Sequence, residues 1–210
     1  MTGLALLGVV LAAAPASDLV EIIALDPTVR LDVRYATAEN FLGRPLYPVA
    51  RAFLHRPVAE ALVRAHRALG PRGYGLLVFD AYRPWSVTKR MWELTPPAQR
   101  GFVANPARGS NHNRGCAVDL SLFALATGRE IEMPSRYDEM SPRSAAAFAG
   151  GSPEARARRD GLRAGMEAEG FVVEAHEWWH FNHRSCPGYE VLDLPLESFP
   201  PNRLANPAEK

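Results

Sequence analysis

Two short segments of the chain restrict its fold most strongly, because their side chains must meet. The first is Ser110-Asn-His-Asn-Arg-Gly-Cys-Ala-Val-Asp119, and the second is Glu177-Trp-Trp-His180. Together His112, Asp119 and His180 supply two imidazoles and one carboxylate, a set that binds a zinc ion and leaves a fourth position open. An open position is typical of a catalytic zinc site, so the pattern predicts metal-assisted hydrolysis.

Two further residues have the chemistry that such a reaction needs. Glu177 precedes His180 by three residues, so it can lie near the metal without binding it and act as general base and acid. If this segment is extended, positions 177 and 180 point to opposite faces, and a bend or bulge between them is required. Arg83 stands before Pro84 at the predicted end of a buried strand, where its permanent charge suits it to stabilise an oxyanion.

Other residues near the two motifs offer alternative ligands. His176 and His183 flank the second motif and can substitute for His180, although a supporting or surface position is the simpler interpretation. Cys116 lies between His112 and Asp119, where a small buried residue is the simpler interpretation. In an oxidising compartment Cys116 and Cys186, the only two cysteines, can instead pair with each other.

Length and charge restrict the kind of partner. A chain of 210 residues with 47% hydrophobic residues is long enough for one well-cored domain. The formal net charge is +1 and no long run of either sign occurs, so neither nucleic acid nor an anionic membrane is an expected partner. A small, specific substrate is the expectation.

The first sixteen residues form an uncharged apolar segment that ends in Ala14-Pro-Ala16. Such an ending fits a signal-peptidase site, and the segment is too short for a stable membrane span. We therefore predict a signal peptide over residues 1–16, a catalytic domain over residues 17–210, and a periplasmic or extracellular location. A cytoplasmic location is the alternative, because no Lys or Arg precedes the apolar run.

Hydrophobic periodicity predicts a small central sheet flanked by helices, an α+β fold. Helices are expected where apolar residues recur on one face, and strands where short apolar or alternating runs occur. The predicted strands are 31–35, 74–80, 116–123 and one or two within 171–181; the predicted helices are 57–69, 86–94 and 156–169; residues 133–151 are predicted to form a covering loop.

Several segments taken together resemble the D-alanyl-D-alanine dipeptidases, the VanX-like branch of zinc peptidase family M15. They are Tyr35-Ala-Thr-Ala-Glu-Asn-Phe-Leu-Gly43, Gly73-Tyr-Gly-Leu-Leu-Val-Phe-Asp-Ala-Tyr-Arg-Pro84, the S-x-H-x-x-G-x-A-x-D pattern of 110–119, Ser135-Arg-Tyr-Asp138 and Glu177-Trp-Trp-His180. The resemblance covers nearly the whole chain after the leader. It implies the mainly antiparallel sheet shared by D,D-peptidases and the Hedgehog signalling domain.

The resemblance also implies roles for individual residues. One zinc ion would be bound by His112, Asp119 and His180, with Glu177 as general base and acid and Arg83 stabilising the transition state. Ser110 would contact the substrate carboxylate, while Asp138 and Tyr35 would surround its ammonium group. The implied activity is hydrolysis of the D-Ala-D-Ala dipeptide to two D-alanines. The alternatives are a D,D- or L,D-carboxypeptidase or endopeptidase acting on peptidoglycan peptides, and a non-catalytic zinc-binding module.

Overall fold

A computed structural model describes residues 18–201, which contain four α-helices and seven strands, five of the strands forming the main sheet. In chain order they are β1 (Leu19–Glu21), α1 (Ile22–Leu25), β2 (Arg30–Leu31), β3 (Phe53–His55), α2 (Arg56–Leu69), β4 (Tyr74–Asp80), α3 (Trp85–Leu94), β5 (Ala117–Ala124), α4 (Pro153–Ala168), β6 (Phe171–Glu174) and β7 (Glu177–His183). Short 3-10 turns connect several of them. The predicted leader, residues 1–16, lies outside the described residues.

The main sheet has the strand order β2-β4-β5-β7-β6. β2 and β4 are parallel, whereas each of the other neighbouring pairs is antiparallel. β1 and β3 form a separate antiparallel pair. The prediction of an α+β fold with a small, mainly antiparallel sheet is therefore confirmed.

The neighbouring strands β4 and β5 are buried on both faces because each face is covered by other elements. Their even-numbered residues Leu76, Val78, Val118, Leu120 and Leu122 join the apolar core beneath α2 and α4, and a register shift after Val78 takes Asp80 out of this pattern. α2 fits this place because its apolar residues recur along one helical face, with Pro57 in its first turn and Gly70 at its end. No helix of the described part combines the length and the apolarity that crossing a bilayer requires.

The odd-numbered residues of the same strands form the opposite face of the sheet. Leu77, Phe79 and Phe123 make a small apolar cluster there, against which Tyr137 packs. The ring of Tyr137 lies 4.7 Å from that of Phe79 and 5.5 Å from that of Trp179. The loop that carries Tyr137 therefore covers this face, and the space between loop and sheet is where the candidate site lies.

One strand prediction is wrong in extent. Alternation over residues 31–35 predicts a strand, but β2 ends at Leu31 and the backbone turns into a 3-10 helix at Arg34–Ala36. The carbonyl of Tyr35 accepts hydrogen bonds from the backbone N–H groups of Leu46 and Tyr47, at 2.7 and 2.9 Å, rather than from a neighbouring strand. This turn buries the Tyr35 side chain next to the site.

Candidate active site and metal centre

Three candidate metal ligands converge at the junction of β5, β7 and the loop before β5. Asp119 on β5 is paired directly with His180 on β7, and His112 belongs to the short turn that precedes β5. His112 Nε2 lies 3.3 Å from Asp119 Oδ1 and 3.1 Å from His180 Nδ1, while His180 Nδ1 lies 3.0 Å from Asp119 Oδ1. In the described residues this is the one group of three His, Cys, Asp or Glu side chains placed to hold a metal ion.

The spacing of these donor atoms fits zinc. Tetrahedral zinc holds imidazole nitrogen and carboxylate oxygen at about 2.0–2.2 Å, which puts neighbouring donors roughly 3.3 Å apart. The three measured separations are close to that edge length. The carboxylate is also in the correct charge state, because the two imidazoles outweigh the effect of burial and hold the pKa of Asp119 well below its usual range.

The atoms of these residues that point away from the metal position have protein partners. His112 Nδ1 lies 2.7 Å from the carbonyl oxygen of Ala81, so Nδ1 carries the hydrogen and Nε2 is free to bind metal. The hydroxyl of Tyr137 donates to Asp119 Oδ2 at 3.0 Å, which leaves Oδ1 directed at the two imidazoles. The ligand set is thus oriented by hydrogen bonds before any metal binds.

Arg83 is held beside this group by a buried carboxylate. Asp80, at the end of β4, accepts from Arg83 Nε at 2.9 Å and from Nη2 at 2.6 Å. Its other oxygen accepts from the Tyr47 hydroxyl at 2.7 Å. The Arg83 guanidinium also lies 5.0 Å from the centre of the Tyr35 ring, and its Nη2 is 3.9 Å from Asp119 Oδ2. Arg83 is therefore a fixed positive charge next to the metal position.

Glu177 stands at the start of β7 with Oε2 3.9 Å from His180 Nδ1. The register between β6 and β7 shifts between Val173 and Glu174, so that Glu174 pairs with Glu177 rather than with His180. This irregularity is the bend that the three-residue spacing requires. Burial, reinforced by the charge of Asp119 and only partly offset by His180, raises the pKa of Glu177 to about 7. A carboxyl group with such a pKa can both accept and donate a proton near neutral pH.

Asp138 and Tyr35 lie together at another part of the site. The Tyr35 hydroxyl donates to Asp138 Oδ1 at 3.2 Å, whereas Asp138 Oδ2 is buried and has no hydrogen-bond partner within the described residues. Burial and the charge of Asp119 raise the pKa of Asp138 to about 8. Asp138 is also the one non-glycine residue in the described part with positive φ, at 56°. A buried carboxyl oxygen without a partner, on a strained backbone, is a feature of ligand-binding positions.

Ser110 completes the set of predicted residues. Its Oγ accepts from the backbone N–H of His112 at 3.2 Å, a contact that leaves the hydroxyl hydrogen for donation to a ligand.

One cavity of about 760 Å³ joins these positions. Its lining includes all eight predicted site residues, which are Tyr35, Arg83, Ser110, His112, Asp119, Asp138, Glu177 and His180. Trp179 also lines it, whereas Trp178 is core and donates from its indole nitrogen to Ser135 Oγ at 2.9 Å. His176 is exposed and lines the cavity, but it is not part of the ligand group. His183 Nδ1 is hydrogen-bonded to the Ser185 hydroxyl, so it is outside the ligand group as well.

The two cysteines form a disulfide bond, with Cα atoms 5.4 Å apart. Cys116 lies between His112 and Asp119 in the sequence, and Cys186 follows His180. The bond therefore ties the segment that carries two ligands to the segment that carries the third. A ligand role for Cys116 is excluded by this pairing.

Three supporting residues have no assigned role in the sequence patterns. Tyr137 orients Asp119, Asp80 holds Arg83, and Tyr47 in turn holds Asp80. Of the three, Asp80 is the easiest to predict from the sequence, because it precedes Arg83 by three residues at a strand end. Tyr47 comes from a loop remote in sequence, and no local pattern indicates where its hydroxyl points.

Comparison with known proteins agrees with the geometry. Residues 15–194 match the peptidase M15 family described as D-ala-D-ala dipeptidase. The chain belongs to this family. It is therefore a metallopeptidase, and its relatives support hydrolysis of a dipeptide.

Curated relatives of similar length include D-alanyl-D-alanine dipeptidases from three bacteria. The chain is 34% identical to the protein from Escherichia coli (84% of this chain, 90% of the relative). It is 37% identical to that from Enterococcus faecium (80% and 93%) and 38% identical to that from Enterococcus faecalis (80% and 88%).

Solved structures similar to this chain include the LD-carboxypeptidase LdcB (TM-score 0.46, 18% identity, 82% of this chain and 72% of that chain). The vancomycin-resistance D,D-pentapeptidase VanY, solved with Zn(II), has a TM-score of 0.42 and 16% identity, over 63% of this chain and 73% of that chain. The family assignment rests on the sequence relatives.

Proposed function

We propose that this chain is a zinc dipeptidase that hydrolyses D-Ala-D-Ala to two molecules of D-alanine. The observation that carries the proposal is the single cavity that joins a three-residue ligand set, a carboxylate outside that set and a buried, unpartnered Asp138 oxygen. Zinc held by His112, Asp119 and His180 would polarise the peptide carbonyl and acidify a water molecule.

Two positions in the cavity lining suit the two ends of a free dipeptide. Asp138 Oδ2 lacks a hydrogen-bond donor, and the substrate ammonium group would supply one. Tyr35 holds the other oxygen of this carboxylate and so directs it. The Ser110 hydroxyl, beside the metal loop, would donate to the substrate carboxylate. A longer peptide has no ammonium group at the corresponding position, so recognition of both ends favours dipeptides.

The chemical step is assigned to Glu177 and Arg83. Glu177 would accept a proton from the attacking water and deliver it to the leaving amine, for which a pKa of about 7 is well matched. Arg83 would stabilise the negative charge that develops on the carbonyl oxygen. Asp80 already holds two of the three guanidinium nitrogens, Nε and Nη2. We therefore assign the contact with the carbonyl oxygen to the third nitrogen, Nη1.

A comparison of substrates tests the proposal. Zinc-loaded protein is incubated with D-Ala-D-Ala, with L-Ala-L-Ala and with a pentapeptide that ends in D-Ala-D-Ala, and released alanine is measured. We expect two D-alanines per D,D-dipeptide, loss of activity with a chelator and recovery with added zinc. Cleavage of the pentapeptide alone would favour a carboxypeptidase, and stoichiometric zinc without any cleavage would favour a non-catalytic module.

We also propose that the protein acts outside the cytoplasm. The uncharged apolar leader and the Cys116–Cys186 bond support this location, because disulfides persist in oxidising compartments. Mass spectrometry of the protein recovered from periplasmic and cytoplasmic fractions tests it. We expect an exported form that starts at Ser17, and an intact leader on protein confined to the cytoplasm would contradict the proposal.

A further inference from the structure

The two ring nitrogens of His180 have different surroundings. Nδ1 faces Asp119 Oδ1 and His112 Nε2, at 3.0 and 3.1 Å, so it is the nitrogen directed at the metal position. Nε2 points the other way and lies 2.9 Å from the side-chain oxygen of Asn182. A ring nitrogen that binds metal must lack a hydrogen, so the hydrogen belongs on Nε2 and needs an acceptor.

The amide of Asn182 is itself held in one orientation. Asn111 Nδ2 donates to Asn182 Oδ1 at 2.9 Å, so the oxygen rather than the NH₂ group occupies the position facing His180. The reverse orientation would set the NH₂ group of Asn182 against two N–H donors. One amide oxygen thus accepts from a residue of the metal loop and from a metal ligand at the same time.

The strand geometry explains why Asn182 is available for this contact. His180 and Asn182 are two residues apart on β7, so they share one face of the sheet. They pair with Asp119 and Ala117 of β5, respectively. The small side chain at Ala117 leaves room above the sheet, and Asn111 reaches Asn182 from the loop immediately before His112.

We propose that Asn182, oriented by Asn111, is a positioning residue that selects Nδ1 of His180 as the metal-binding nitrogen. The inference rests on the proposed zinc site. The backbone carbonyl of Ala81 has the equivalent role for His112, because it accepts from Nδ1 and leaves Nε2 for the metal. No substitution removes a backbone carbonyl. For His180 the acceptor is a side chain, so its contribution can be measured by mutation.

The test compares Asn182→Leu, which removes the acceptor at similar volume, with Asn182→Asp, which keeps it. Zinc affinity is measured by competition with a chromophoric chelator, because loss of such a supporting contact lowers metal affinity tenfold to hundredfold. We expect a loss in that range for Asn182→Leu, a smaller loss for Asn111→Ala and affinity within a few-fold of the parent for Asn182→Asp. Equal affinity in Asn182→Leu and the parent would overturn the inference, as would an equally large loss in Asn182→Asp.

A second readout separates positioning from a general disturbance of the strand. In ¹⁵N-edited NMR spectra of the zinc-loaded protein, the parent and Asn182→Asp should show an exchange-protected His180 Nε2–H proton that Asn182→Leu lacks. His183→Gln is the matched control, because His183 is next in the same strand but bonds Ser185. We expect parental zinc affinity for this control, and a loss as large as that of Asn182→Leu would overturn the inference.

The two proposals fail in different ways. If the parent binds zinc but Asn182→Leu binds it equally well, the positioning role is wrong and the proposed function stands. If the parent binds no zinc, the metal assignment and the positioning role are both wrong.

Discussion

The metal-binding region and the ammonium-binding region of the cavity are built in different ways. His112, Asp119 and His180 lie on or beside paired central strands, and their outward atoms have protein hydrogen-bond partners. Asp138 lies in the covering loop with positive φ and an unpartnered buried oxygen.

The difference shows that the sheet region forms its site before any ligand binds, whereas the loop supplies a group that depends on a bound ligand. Sheet pairing sets the separation of Asp119 and His180, and the Ala81 carbonyl holds His112 beside them, so binding a metal requires little rearrangement. The loop instead holds the carboxyl group of Asp138, whose pKa is raised by burial because its charged form lacks a favourable partner. A bound cation would supply that partner. The protein itself therefore holds the metal ligands in place, whereas the ammonium region gains its missing partner only when the substrate binds.

The largest effect is expected at Glu177, which lines the same cavity as both regions. Glu177→Ala removes the group assigned to proton transfer, so kcat for D-Ala-D-Ala should fall by roughly 10²–10⁴-fold. Zinc content should stay at the parental value because Glu177 is outside the ligand set. Steady-state kinetics and metal analysis measure both quantities. Glu174→Ala, on the neighbouring strand, is the matched control. If Glu177→Ala kept the parental kcat, the assignment of Glu177 to proton transfer would be wrong.

The metal region should also depend on its covalent link. The disulfide joins positions 70 residues apart, and a loop of that size corresponds to about 4 kcal/mol in the chain-entropy account. We therefore expect the double substitution Cys116→Ser and Cys186→Ser to lower the free energy of unfolding by roughly that amount, measured by denaturant titration with zinc present. KM should change little, because the bond lies at the metal end. Coincident unfolding curves for the variant and the parent would contradict this expectation.

A substitution at the ammonium end should leave the metal region intact. Asp138→Asn removes the charge that pairs with the substrate ammonium, so kcat/KM should fall roughly tenfold to hundredfold, chiefly through KM, with zinc content unchanged. N-acetyl-D-Ala-D-Ala lacks the ammonium group and serves as the control substrate. The variant and the parent should hydrolyse it equally, and a similar loss on both substrates would argue against an ammonium site.

The smallest effect concerns pH and the stability of the metal-free protein. Asp138 has a pKa of about 8 in the folded chain against its usual 3.8, so the folded state binds more protons than the unfolded state between these values. Stability from this group is complete below about pH 4 and is lost as the pH rises through about 8. Thermal unfolding of chelator-treated protein should show this decline, and Asp138→Asn should show less of it. Equal slopes in the two proteins would contradict the shift.

Much of the site and fold follows from local patterns in the sequence. Ligand chemistry was evident in two short motifs, one with His112 and Asp119 and the other with Glu177 and His180, and helix α2 in the recurrence of apolar residues between Pro57 and Gly70. These features depend on neighbours a few residues away, where periodicity is reliable. The need for a bend before His180 was also evident, because strand geometry forbids a shared face at a spacing of three.

Other features were decided only by tertiary structure. The early end of β2 depends on hydrogen bonds between Tyr35 and residues 46 and 47, and the orientation of Arg83 depends on Tyr47. Likewise the choice of ring nitrogen in His180 depends on Asn111, which precedes it by 69 residues in the sequence. The sequence by itself determined which chemical groups the site contains. Tertiary structure decided which atom of each group faces the cavity, because hydrogen bonds between distant segments have no local periodicity by which a sequence could reveal them.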